Sequence, residues 1–218
     1  MYLRIIWKLS FFILSLLGYF LITFVLTPYY LKNPNKARNT LNYVVHIFSK
    51  MFLFVFNVNV SWNIPGHWDN KGHLLISNHL GYLDILVLAS RIQCSFVTST
   101  EMRDTFLLGH ICKLAGCVFV NRKDKKNISL EIKEITDALK DGVNVLVFPE
   151  ATSTNGEEVI RFRRPLFQSS FDAQNVIAPI TINYTQINNQ KLSIQNRDEV
   201  FWYGDMSFFS HFLTISKS

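Results

Sequence analysis

Cysteine, charge and chain-breaking residues are all scarce in this 218-residue sequence, and each shortage removes a class of protein. The three cysteines, Cys94, Cys112 and Cys117, are an odd number with no CxxC pair, which argues against a disulfide-stapled secreted scaffold and a paired-cysteine zinc module. They read as reduced thiols in a domain facing the cytosol. Charged residues make up 17% against 49% hydrophobic, so the chain is no disordered segment. Nine glycines and six prolines are scattered, leaving no linker, repeat or low-complexity tract. No GxSxG, P-loop or HExxH occurs, which disfavours serine-hydrolase, nucleotide-hydrolase and zinc-protease chemistry. What is present is basic and apolar together. Lys plus Arg number 22 against 16 Asp plus Glu, a net +6, and in so hydrophobic a chain this points to anionic lipid and away from nucleic acid.

From Leu9 to Leu31 no charged residue occurs, a run long enough to cross a bilayer. Pro28 is expected to end the helix inside it. Thr27-Pro28-Tyr29-Tyr30 stands where a signal peptide would have its small-residue cleavage site, so the segment is kept as part of the mature protein. Arg4 and Lys8 precede the run while Lys32, Lys36, Arg38 and Lys50 follow it, and this bias puts the C-terminal side in the cytoplasm. A second apolar stretch, Leu41 to Phe56, is broken only by His46 and Lys50. Two arrangements stay open, a spanning helix followed by an interfacial one, or a helical hairpin partly sunk in one leaflet. The expected organisation is an N-terminal hydrophobic two-helix membrane anchor, residues 1–56, and one α/β domain, residues 57–218.

Within that domain β-rich runs fall at Val58–Trp62, His73–Ile76, Ser95–Thr98, Cys117–Val120, Val143–Val147 and Val176–Ile182, with Lys191–Gln195 weaker. Ile128, Ile132, Ile135 and Leu139 recur at helical spacing and Gly142 follows, which predicts a helix over 128–139 with a glycine C-cap. Strands alternating with helices predict an α/β fold, a mixed sheet flanked by helices, with ligands meeting the loops at the strand ends.

Chemistry-bearing residues follow several of these strands. Behind His73–Ile76 comes Ser77-Asn78-His79-Leu80-Gly81-Tyr82-Leu83-Asp84, a histidine and an aspartate that could form a base pair or be a core imidazole and a helix cap. Behind Val143–Val147 comes Phe148-Pro149-Glu150-Ala151-Thr152-Ser153-Thr154-Asn155-Gly156, whose carboxylate could accept from a substrate hydroxyl or simply belong to a capped turn. Arg122, at the end of Gly116–Arg122, suits a phosphate or carboxylate fork, whereas Lys123, Lys125 and Lys126 read as a solvated turn. Arg161, Arg163 and Arg164 precede Pro165 and could serve solubility, lipid phosphates or the phosphates of a carrier. His67, His73 and His79 are equally spaced with Asp69 and Asp84 nearby, but that spacing does not share a helical face, and no metal is expected.

In chain order, Asn78-His79-x4-Asp84, Gly116–Arg122, Phe148-Pro149-Glu150 and Val176-Ile177-Ala178-Pro179-Ile180 resemble the four blocks of the glycerolipid acyltransferases, the 1-acylglycerol-3-phosphate acyltransferase family above all. Val200-Phe201-Trp202-Tyr203-Gly204-Asp205-Met206 with His211 resembles bacterial members, including lyso-ornithine lipid acyltransferases. The resemblance implies that His79 removes the proton of a lysolipid hydroxyl as it attacks an acyl thioester, with Asp84 fixing the imidazole tautomer. By the same resemblance Arg122, Glu150, Thr152, Ser153 and Arg163 bind the acceptor, while Asn78, Phe148, Pro149 and Pro179 shape the pocket. No cofactor is implied beyond acyl-CoA or acyl carrier protein as co-substrate. The implied partners are membrane lipids and a lysolipid, most directly 1-acylglycerol-3-phosphate giving phosphatidic acid in phospholipid biosynthesis. The implied setting is a bacterial inner membrane with the catalytic domain on the cytoplasmic side; the oligomeric state is left open. The family's third block usually reads Phe-Pro-Glu-Gly-Thr-Arg, and here Ala151 replaces the glycine and Ser153 the arginine. Another lysophospholipid, a lyso-ornithine lipid, or a non-catalytic membrane lipid-binding role therefore stands as the alternative.

Overall fold

The computed structural model describes residues 2–32, 34–63, 72–106, 108–121 and 128–217. Two helices open the chain, α1 over Tyr2–Lys32 and α2 over Pro34–Val55. Strand β1 (Leu74–Ser77) leads into α3 (Tyr82–Ala89), and β2 (Ser95–Ser99) into α4 (Thr100–Arg103) and α5 (Leu108–Leu114). Then follow β3 (Val118–Val120), α6 (Ile128–Lys140) and β4 (Val145–Val147). A 3-10 turn at Arg164–Phe167 runs into α7 (Gln168–Ala173) and β5 (Ile177–Ile180). The short strands β6 (Gln186–Ile187) and β7 (Gln190–Lys191), a 3-10 turn at Arg197–Glu199 and α8 (Phe208–Lys217) complete the chain.

The main sheet has the order β3-β2-β4-β1-β5, and all its pairings are parallel. Among the described residues, the antiparallel component of the expected mixed sheet is confined to the separate β6–β7 ribbon. Alternation along the strands sorts the core onto two faces. Leu74, Val97, Val145 and Val147 point to one face and pack with Ile135, Ala138 and Leu139 of α6 and Leu166 before α7. Leu75, Phe96 and Leu146 point to the other and meet Leu88 and Ala89 of α3. The chain leaves β1 over one face and β4 over the opposite face, and β1 and β4 are neighbours. Their carboxyl ends therefore bound a topological switch point, where two loops diverge and leave a crevice.

Helix α6 ends as its sequence predicts, one residue beyond the expected stretch. Gly142 takes φ +78°, its N–H reaches Leu139 O at 3.0 Å, and Val143 N–H reaches Ala138 O at 3.0 Å, a Schellman termination.

Four expectations need correction. Pro28 does not end α1, which continues to Lys32; a proline there removes one backbone bond close to the end of the helix. Among the described residues only one helix, Leu3–Tyr29, is long and apolar enough to cross a membrane, so the hydrophobic pair is a single apolar helix followed by an amphipathic one. Helix α2 buries Ala37, Leu41, Asn42, Ser49, Phe52 and Leu53, and its His46 Nδ1 lies 2.7 Å from Ala89 O at the end of α3. The two breaks in the apolar stretch thus reflect a helix with a protein-facing side. Val58–Trp62 forms no strand; Val60 O instead accepts from Arg91 at 2.6 Å. Of Lys191–Gln195 only Lys191 is in a strand, because Asn188 and Asn189 both take positive φ, 50° and 61°, and turn a two-residue hairpin there.

Candidate active site

The loop after β1 is built around one buried carboxylate. Asp84 sits in the first turn of α3 with no exposed side-chain surface. Its Oδ2 accepts the backbone N–H groups of Leu80 at 2.6 Å and Gly81 at 2.9 Å, so the carboxylate reaches back over the helix start it also favours electrostatically. The same oxygen lies 2.9 Å from His79 Nδ1. Oδ1 accepts the Tyr184 hydroxyl at 2.7 Å. An ionised carboxylate can only accept, so Nδ1 carries the proton and the Nε2 lone pair is directed away from Asp84. No hydrogen bond from a described residue engages Nε2, and the His79 side chain keeps 18% of its surface open.

The loop after β4 closes on the same histidine. Phe148 stacks on the His79 ring at 4.0 Å between centroids and 13° between planes. Glu150 is buried, and its Oε1 accepts the His79 backbone N–H at 3.2 Å. Thr154 N–H donates to His79 O at 2.9 Å, so both main-chain polar groups of His79 are held by the β4 loop. Burial raises the Glu150 carboxyl above its ordinary value and the nearby Asp84 adds to the rise, while the His79 N–H and ring and the Thr154 hydroxyl oppose it. Burial likewise lifts the Tyr184 hydroxyl well above its usual range, reinforced by the Asp84 charge, so it remains a donor.

Two devices fix the loop from behind. Asn78 makes a two-bond clamp on Ile182, donating from Nδ2 to its carbonyl at 3.0 Å and accepting its N–H at Oδ1 at 2.8 Å. Gly81 lies where a Cβ would come 2.8 Å from the Trp202 backbone nitrogen, and Trp202 N–H donates to Leu80 O at 2.9 Å. Here glycine permits close approach of two backbones. Ala151, by contrast, holds φ +60° without being glycine. Its Cβ is therefore a local strain beside Glu150.

Asn78, His79, Asp84, Phe148 and Glu150 are thus brought together with buried Pro149. Thr152 is exposed and its hydroxyl turns to Ser153 O at 3.4 Å. Arg163 is exposed, but its backbone N–H donates to Pro149 O at 2.8 Å, which ties the arginine-rich segment to the Glu150 turn. Pro179 lies outside the constellation, opposite Ile76 in β5, an edge strand where its missing N–H costs no ladder bond. Arg122 lies outside the described residues, as do His67 and Asp69. Sequence reasoning missed Tyr184, which contacts the loop from far along the chain and carries no local pattern; Trp202 stood within the Val200–Met206 resemblance, but not as a contact of this loop.

The Acyltransferase family profile matches residues 55–183, more than half of the chain. The chain belongs to the Acyltransferase family. It is 29% identical over 162 residues to the lyso-ornithine lipid O-acyltransferase of Rhizobium meliloti (strain 1021), covering 71% of this chain and 56% of that protein. It is 29% identical over 149 residues to the 1-acyl-sn-glycerol-3-phosphate acyltransferase of Neisseria gonorrhoeae, covering 68% and 57%. The matches span little more than half the length of these relatives. The crystal structure of the 1-acyl-sn-glycerophosphate acyltransferase of Thermotoga maritima aligns with TM-score 0.48 at 19% identity, over 78% of this chain and 73% of that one.

Proposed function

We propose that this chain moves a fatty acyl group from an acyl thioester, acyl-CoA or acyl carrier protein, to the free hydroxyl of a lysolipid, using His79 and Asp84 as a general-base dyad. The observation that carries the reading is the 2.9 Å contact of His79 Nδ1 with a carboxylate that has no exposed surface, leaving Nε2 as the available base. A lipid hydroxyl is a poor nucleophile near neutral pH, so the imidazole removes its proton as it attacks the thioester carbonyl. Asp84 stabilises the imidazolium that forms, and the imidazolium then returns the proton to the departing thiolate. The substrate hydroxyl takes the place of an enzyme serine, and no acyl-enzyme is needed.

The acceptor we assign is 1-acylglycerol-3-phosphate, giving phosphatidic acid, with Arg122, Glu150, Thr152, Ser153 and Arg163 as acceptor-binding residues. A second acceptor, lyso-ornithine lipid, is favoured by one specific feature, Ser153 in place of the third block's arginine, which removes a charge suited to a phosphomonoester. The Rhizobium relative bears that acceptor in its name.

Residues 1–56 serve as the anchor and residues 57–218 as the catalytic part. Support for an anchor lying in the membrane surface comes from contacts along much of α1: Lys8 over the Phe56 ring, Phe12 against Phe52 and Phe212, and Tyr19 OH on Ile111 O at 3.3 Å. A helix held along its length by the domain cannot cross the bilayer without taking that domain into it. Leu14, Leu17, Leu21, Phe24 and Val25 of α1 and Phe54 of α2 are exposed and would enter one leaflet. The free cysteines and the basic residues after α1 favour the cytoplasmic face of a bacterial inner membrane.

The test is acyl transfer by purified protein in anionic vesicles, offering acyl-CoA and acyl carrier protein against lysophosphatidate, other lysophospholipids and lyso-ornithine lipid. Transfer to lysophosphatidate supports the main reading, and preference for lyso-ornithine lipid the second. Folded, vesicle-bound protein with no transfer to any acceptor would leave a non-catalytic lipid-binding protein.

A further inference from the structure

Tyr184 belongs to none of the four blocks, yet it is the partner of Asp84 Oδ1. The two oxygens of Asp84 are unequally served. Oδ2 takes three donors, His79, Leu80 and Gly81. Among the described residues Oδ1 takes one, the Tyr184 hydroxyl at 2.7 Å. The segment carrying that hydroxyl is itself fixed two residues earlier, where Asn78 clamps both backbone groups of Ile182. The Tyr184 ring is held against Phe201 at 5.7 Å and forms part of the wall of a cavity of about 580 Å³ together with Leu83, Val87 and Ile182. The hydroxyl is therefore set in place by packing on one side and by the His79 loop on the other.

Resting on the dyad reading above, we infer that Tyr184 is a positioning residue for the acyl-transfer step, holding the Asp84 carboxylate in plane with the His79 ring and moderating the charge that the imidazole senses. A hydroxyl donated to Oδ1 draws negative charge away from Oδ2, where His79 is bonded. Removing it leaves a buried carboxylate oxygen without its donor, free to rotate, and concentrates charge at Oδ2. The imidazolium is then more stable and harder to deprotonate. Among the described residues, the other titratable groups around the pair are Glu150 at the His79 backbone, Tyr82 near Tyr184, and His211, whose Nδ1 lies 2.9 Å from the Tyr82 hydroxyl.

The test replaces the hydroxyl and reads the imidazole. In Tyr184→Phe the acid-limb midpoint of the kcat/KM profile is expected to rise by about half to one pH unit, and kcat to fall about three- to tenfold with KM nearly unchanged. The His79 imidazole, followed by NMR in histidine-labelled protein and assigned by its loss in His79→Ala, should titrate upward by the same amount. Tyr203→Phe, which removes a surface hydroxyl 2.9 Å from Asp198, is the control and should match wild type. If Tyr184→Phe does not fold, a fluorinated tyrosine at 184 keeps the bulk and strengthens the donor, and the imidazole midpoint should fall. An unmoved imidazole midpoint in the folded variant overturns the inference even if activity is lower. The NMR readout needs no turnover, so inactive wild-type protein would count against the dyad reading and leave the Tyr184 inference to be decided by the titration.

Discussion

Asp84→Asn separates the charge of the dyad from its shape. The amide oxygen must occupy the Oδ2 position, because His79, Leu80 and Gly81 all present donors there, between 2.6 and 2.9 Å. The NH2 then faces Tyr184, whose hydroxyl can turn from donor to acceptor. Every bond survives in number, but all four lose their charge assistance and the one to Tyr184 also reverses direction. At about 1 kcal/mol lost per bond, plus about 0.3–1 kcal/mol for the carboxylate at the helix start, the gross cost is about 4–5 kcal/mol. Relief from burying a charge offsets part of it, leaving about 1–3 kcal/mol and a Tm lower by about 2–10 °C. The chemical cost is larger, since a neutral amide cannot stabilise imidazolium: turnover should fall about 10²- to 10⁴-fold. The assay is acyl release from a thioester by purified wild type and variant at equal vesicle binding, with thermal unfolding alongside. A variant that shows the expected Tm and turns over within about threefold of wild type would refute the dyad, because charge at Asp84 would then be irrelevant to the reaction.

Glu150→Gln carries a pH signature. The folded-state carboxyl of Glu150 is raised, so its stabilising contribution is present at acid pH and is lost as pH rises through the raised folded value. The glutamine variant lacks that loss while keeping an acceptor for the His79 N–H, so its Tm relative to wild type should climb as pH rises and then level; a constant difference from pH 4 to 8 would contradict the assignment. Ala151→Gly should stabilise by about 1 kcal/mol, raising Tm by about 2–4 °C in a thermal melt, since glycine takes φ +60° without strain. Asn78→Ala removes both clamp bonds and leaves the Ile182 N–H and C=O unpaired, an expected loss of about 2–4 kcal/mol in denaturant unfolding. In Gly81→Ala the new Cβ collides with the Trp202 backbone, so thermal unfolding should show a loss of about 1–3 kcal/mol.

Much of the scaffold was legible because local physics and tertiary context agree. The apolar spacing from Ile128 to Leu139 and the following Gly142 gave a helix and its end, and short β-branched runs gave five parallel strands within a few residues. Spacing alone left His79 and Asp84 open between a dyad and a core imidazole with a helix cap; the four-block resemblance implied the pair, and both residues lie in one strand-to-helix turn. The illegible parts depend on partners distant in sequence. Val58–Trp62 has strand composition but pairs with no strand, its backbone being met instead by the Arg91 side chain at Val60 O. Helix α2 looks like a lipid helix until the surfaces of α3 and β2 that cover it are known. Tyr184 lies 100 positions from Asp84, and no periodicity links them. Pro28 misled in the other direction, since a proline close to a helix end removes a single backbone bond and α1 runs four residues past it.

The most direct measurement is the turnover of purified His79→Ala against wild type in anionic vesicles, with acyl thioester and the preferred lysolipid both saturating. Removal of the base predicts a fall of about 10²- to 10⁴-fold with folding and vesicle binding unchanged. Wild-type turnover in the folded variant would contradict the central claim that the Nε2 of His79 takes the proton of the acceptor.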